Sequence, residues 1–145
     1  MQADENLTAG VQILARLMEA HGFAFVPVRS GPGSGGWSAS GEFRRGTGAG
    51  LRRLELHYRH SLGLVTYHVG EASLSHTDYM RALKANNQYP GYSHDPLAAF
   101  RHLSHDLEHY ATDFLSGNDD GFARCIREAE RINAVPGFKR LSEAS

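Results

Sequence analysis

The order of patterns along the chain predicts an α+β fold: an N-terminal helix, an antiparallel meander of three or four strands, and C-terminal helices packed with the first on one face of the sheet. Three observations carry this. Apolar residues recur at helical spacing near the amino terminus, two alternating runs in the middle flank a turn with a glycine, and strong helix starts and stops crowd the last third. With 145 residues, 41% hydrophobic and 21% charged, the chain fits one domain over residues 1–145 with a frayed tail from about 138.

Leu7, Val11, Leu14 and Met18 repeat at intervals of four, three and four with Gly22 as a stop, so residues 6–21 read as an amphipathic helix. Residues 23–28 are rich in aromatic and branched side chains and read as a strand, where Pro27 argues for the edge of the sheet or an early ending. A glycine-rich loop over 30–36 leads to a second strand over 37–46, around Trp37 and Phe43. Residues 51–60 and 64–70 are two alternating runs separated by a turn that contains Gly63, and they predict a hairpin. With Leu62 and Gly63 as its turn, Tyr58 faces Tyr67 and His57 faces His68. Leu54, Leu56, Tyr58, Val65, Tyr67 and Val69 then share one face, and Glu55, His57, Arg59, Thr66 and His68 share the other.

Ser75 followed three residues later by Asp78 resembles a capping box and opens a short helix containing Tyr79, Met80 and Leu83. A polar loop over 86–94 carries Tyr89 and Tyr92, aromatic residues on a turn that suit a recognition surface. Asp95 before Pro96 is a helix start and Gly117 a stop, which predicts one long helix over 96–116. A last helix spans about 120–134.

Lys and Arg number 15 against 16 Asp and Glu, giving a net charge of −1 and excluding a global cationic field. The lone Cys125 cannot form an internal disulfide, the first residues lack a signal-peptide pattern, and no run is long and apolar enough to span a bilayer, so the expected place is the cytoplasm, without membrane contact. Six arginines lie between Val28 and His60 against Glu42 and Glu55, while six acids oppose Arg101 between Asp95 and Asp120. Two function classes follow from that polarity: an arginine-rich nucleic-acid or phosphate surface, or a charged face for a protein partner.

Nine histidines are the unusual feature. His105 to His109 spell H-x-x-E-H, the string of inverted zinc metallopeptidases, so a zinc-dependent hydrolase would use His105 and His109 as ligands and Glu108 as base. On a helical wheel, however, Leu97, Phe100, Leu103, Leu107, Tyr110, Ala111 and Phe114 form the core stripe, and His102, His105, Asp106, His109 and Asp113 gather opposite, as a solvated face. Gly31, Gly33 and Gly36 spell G-x-G-x-x-G without the helix that would give it a phosphate-binding role. Cys125 shares a helical face with Phe122, Ile126 and Ala129 and reads as a core thiol. No nucleophile motif, phosphate cradle or closed metal set appears, and no cofactor is implied. The sequence therefore predicts a protein-binding module, adaptor-, immunity- or chaperone-like, which pairs with a partner or with a second copy. Its expected surface is Glu55, His57, Arg59, Thr66 and His68, with Tyr89 and Tyr92 as a second patch.

Overall fold

A computed structural model describes residues 2–33, 36–59, 62–84, 95 and 97–134. Helix α1 (Gln2–Ala20) precedes strands β1 (Ala24–Gly33), β2 (Gly36–Arg45), β3 (Arg52–Tyr58), β4 (Leu62–Val69) and β5 (Ala72–Ser75); α2 (His76–Ala82), α3 (Ala98–His109), α4 (Thr112–Ser116) and α5 (Asp119–Asn133) follow. The strands form one antiparallel sheet in the order β1-β2-β3-β4-β5. The α+β meander is as expected, with five strands rather than three or four. The extra strand is β5, four residues long and too short to show alternation. It folds back at once because Gly70 takes φ +60°, a left-handed turn that glycine adopts without strain.

The glycine-rich segment expected to be a loop is largely strand: pairing of β1 with β2 continues to Gly33 and Gly36, since ladder hydrogen bonds require only backbone. β1 is the edge strand that Pro27 predicts, and a bulge between Pro27 and Arg29 interrupts its register.

The central hairpin corrects the expected register. β3 and β4 pair Arg53 with His68, Glu55 with Thr66 and His57 with Leu64, so His57 does not face His68, and Leu62 and Gly63 belong to the strand rather than the turn. Over residues 52–57 each residue's partner is displaced by four positions from the expected pairing, as with Leu64 in place of His68 opposite His57. Because the side-chain period is two, the slip leaves face membership intact: Leu54, Leu56, Tyr58, Val65 and Tyr67 are buried together.

Helix α1 lies over β1 to β3 and α2 over β4 and β5, all on that apolar face. Ala3, Leu7, Val11, Leu14 and Met18 supply the buried stripe of α1. At Gly10 the helix approaches α3 so closely that a Cβ would lie 2.4 Å from the Phe100 ring. Phe100 in turn stacks on Tyr58 at 5.9 Å between centroids, and Tyr67 meets Tyr79 and Phe114 edge-on at 4.8 and 4.9 Å.

The long helix expected over 96–116 is broken. The amides of Tyr110 and Ala111 both reach the Asp106 carbonyl, at 2.8 and 3.3 Å, and α4 restarts at Thr112. The break turns Phe114 and Leu115 into the core, where two arginines take up their carbonyls: Arg52 donates to Phe114 O at 3.1 Å and Arg45 to Leu115 O at 2.7 Å. Gly117 ends α4 at φ +93°, and the Asn118 side chain accepts from the Gly121 amide to start α5. Ser75 caps α2, accepting from the Asp78 amide as the capping pattern predicts.

Candidate functional site: the open face of the sheet

The face of the sheet opposite the helices presents three rows of side chains that the register sets side by side. Arg44, Arg53, His68 and Ser73 form one row across β2 to β5; Glu42, Glu55, Thr66 and Ser75 form the middle row; Ser40, His57 and Leu64 form the third, extended onto β1 by Arg29. Glu42 and Glu55 stand directly opposite each other, an arrangement that repels unless counter-charges intervene. They do. Glu42 accepts from Arg44 Nε and from Arg53 Nη1, the latter at 3.1 Å, and its side chain is only 5% exposed beneath them. Glu55 accepts from the Nε2 atoms of both His57, at 2.6 Å, and His68, at 2.7 Å. Burial alone would raise the Glu55 carboxyl, but the two imidazole hydrogen bonds outweigh it and hold the group below the ordinary glutamate range.

Four of the five residues expected on this surface, Glu55, His57, Thr66 and His68, share the open face. Arg59 lies just past the end of β3 and is exposed. Tyr89 and Tyr92 lie outside the described residues. Of the expected arginine-rich nucleic-acid surface only part is on this side. Arg52 is 4% exposed on the helical face, bonded to Phe114 O and to Asp119, and Arg45 donates to His21 O and Leu115 O with its guanidinium over the Phe23 ring. The sequence marked them as surface charges because nothing local distinguishes a strand arginine facing water from one that caps carbonyls 62 or 70 residues away. Part of the acidic pole is likewise paired within the chain: Asp95 with Arg101 and Asp119 with Arg52.

The largest correction is on α3. Asp106, expected on the solvated face, has no exposed surface and is the centre of a buried polar chain. His76 Nε2 donates to Asp106 Oδ2 at 2.9 Å, and the other ring nitrogen, Nδ1, lies 2.8 Å from the Tyr67 hydroxyl, which donates to it when the ring is neutral. His102 Nε2 is 3.3 Å from Asp106 Oδ2 and His105 Nδ1 3.4 Å from Oδ1. Desolvation would raise the Asp106 carboxyl, and the bonds from His76 and His105 outweigh it and hold it low. This buried triad was missed because its members come from β4, α2 and α3. One signal was available: Asp106 lies three residues beyond Leu103 and seven beyond Ala99, on a line that is otherwise buried. Tyr67 and Asp106 are fully buried and His76 is 4% exposed, so the chain ties three elements together in the interior.

His105 and His109 stack at 4.2 Å on α3, and Glu108 is exposed beside them. Among the described residues no group of three or more His, Cys, Asp or Glu side chains is arranged to hold a metal ion. Cys125 is buried, which pushes its thiol up, with the Asp113 carboxylate adding to the effect. No described helix is long and apolar enough to cross a membrane. Compared with known proteins, the chain matches no protein-family model, no curated protein and no solved structure.

Proposed function

We propose that this protein acts by binding another protein through the open face of its sheet, as an adaptor-, immunity- or chaperone-like module, and that the partner presents carboxylates there. The reading is carried by one observation: the face that carries none of the described helices bears two carboxylates, each already clamped by two donors, inside a surplus of arginine. A guanidinium has five N–H donors; Arg44 commits its Nε and Arg53 its Nη1 to Glu42, and their other donors have no partner among the described residues. Arg29 and Arg59 are exposed and form no ion pair among the described residues. Planar forks of this kind match carboxylates in pairs of hydrogen bonds. The mutual clamping also fixes the side chains beforehand, which lowers the ordering cost of association.

A protein partner suits this surface better than single-stranded nucleic acid. The aromatic side chains of these strands, Phe43, Tyr58 and Tyr67, turn inward, which leaves no stacking platform among the described residues of the open face. The single, buried Cys125 suits a reducing cytoplasm.

A photo-cross-linking residue placed at Thr66, in the middle row, tests the docking face against one placed at Glu130 on exposed α5. Adducts of defined mass at Thr66 and none at Glu130 support the reading, and adducts at Glu130 alone overturn it. An adduct of twice the chain mass identifies a second copy as the occupant. Charge reversal by Arg29→Glu with Arg59→Glu tests the partner's chemistry separately: adduct yield at Thr66 falls at least tenfold if the partner is acidic, whereas undiminished yield leaves the docking face standing and removes the acidic partner.

A further inference from the structure

We infer that the cavity between α2, α4 and α5 binds a small zwitterion, with one ammonium and one carboxylate on an apolar body, as in a free amino acid or a short peptide. The cavity holds about 430 Å³, within the range of small-molecule sites, and lies on the helical side of the molecule, apart from the open face of the sheet. Asp113 of α4, Lys84 just past α2 and Arg124 of α5 border it, and neither cation forms an ion pair with Asp113 or with any other described residue. Charges of both signs that share one space without closing on each other complement a ligand that carries both.

Two backbone features set these groups in place. Lys84 takes φ +58°, a left-handed conformation, directly after the C-cap Leu83 of α2, where glycine is the usual residue. A long cationic side chain is kept there against the preference of its backbone, and strain of this kind collects at ligand sites. Asp113 is positioned from the other side: its Oδ1 accepts from Asn118 Nδ2 at 3.1 Å, and its carboxylate rests on Gly121, where a Cβ would collide with it. Asp113 Oδ2 has no hydrogen-bond partner among the described residues.

Glu128, the other carboxylate of the lining, is taken up by Arg131 Nε at 3.1 Å. Asp113 is therefore the acceptor left for the ammonium, and Lys84 and Arg124 are the donors for the carboxylate. Ala82, Leu83 and Cys125 supply the apolar surface; burial pushes the Cys125 thiol up, so it stays protonated and uncharged. Near Cys125 and Asp113 the buried Tyr79 hydroxyl finds no acceptor for its proton among the described residues, which leaves a further donor on this side of the core.

Calorimetric titration of the untagged protein with L-leucine, L-phenylalanine and glycyl-L-leucine tests the site, and the rate at which iodoacetamide alkylates Cys125, the only cysteine of the chain, is a second measure. The expected result is saturable binding of one molecule per chain for at least one of the three, with slower alkylation of Cys125 in its presence. The amide and the N-acetyl form of the bound molecule, which each lack one charge, are expected to bind about tenfold more weakly or worse. Tighter binding of a free amino acid or of glycyl-L-leucine identifies which source the site prefers. Asp113→Asn, which keeps an oxygen for Asn118, is expected to lose affinity to a similar extent. Lys84→Gly is expected to lose affinity as well while raising Tm, because glycine takes the left-handed conformation without strain. The site is overturned if none of the three binds at millimolar concentration, if the bound molecule leaves alkylation of Cys125 unchanged, or if the singly charged forms bind equally well. It is also overturned if Lys84→Gly raises Tm and keeps the affinity of the parent.

Discussion

Asp106 and Glu55 make the same interaction on opposite sides of the sheet: each carboxylate takes hydrogen bonds from imidazoles and each is held below its ordinary range. They differ in access to water. Asp106 is sealed between β4, α2 and α3, and Glu55 keeps 30% of its side chain exposed. In the interior, removing one partner strands the others without solvation, so the arrangement is costly to break. At the surface, water replaces whatever is removed, so the arrangement adds little stability and its donors stay open to association.

The sharpest test of that contrast is Asp106→Ala, which removes the carboxylate that accepts from the buried His76 Nε2. Urea unfolding is expected to show a loss of about 3–5 kcal/mol. A loss below about 1 kcal/mol, the size typical of an exposed ion pair, would erase the distinction between the two sides. Arg52→Ala is an intermediate case, because its guanidinium is buried but its partner Asp119 is exposed. Loss of its hydrogen bonds to Phe114 O and Asp119 is expected to cost about 2–3 kcal/mol by the same measurement.

Acid titration sharpens the comparison further. The folded Asp106 carboxyl releases its proton more readily than the same group in the unfolded chain, so its stabilisation is complete above the unfolded value, about 4, and is lost as pH falls through the lower folded value. Unfolding free energy measured from pH 5 downward is therefore expected to fall less steeply in Asp106→Asn than in the parent. An unchanged slope would show that Asp106 is not the group responsible. The smallest effect is expected for Glu55→Gln, under about 1 kcal/mol and diminished further by added salt. A larger, salt-insensitive loss would mean that the open face is less accessible than its geometry implies.

The same distinction separates what was legible in the sequence from what was not. Alternation in residues 51–69 assigned Leu54, Leu56, Tyr58, Val65 and Tyr67 to one face and Glu55, His57, Thr66 and His68 to the other, because that assignment depends only on a period of two. The same alternation cannot detect a slip by an even number of residues, and the pairing of His57 with Leu64 rather than His68, four positions away, followed from where the chain turns. Capping at Ser75 and the stop at Gly117 were readable because they are local. The bonds from Tyr67 to His76 to Asp106, like those from Arg45 and Arg52 to α4, join residues 9 to 70 positions apart and leave no periodic trace. The break at Tyr110 escaped notice for a similar reason: neither glycine nor proline marks it.

The bulged first strand has a consequence for how such molecules meet. Pro27 lends no amide hydrogen, and Val28, 56% exposed, falls at the interruption of the register, so a neighbouring chain finds a defective template along that margin. The opposite margin is a strand of four residues. Ribbon-like growth by zipping one sheet onto the next is thus discouraged at both borders.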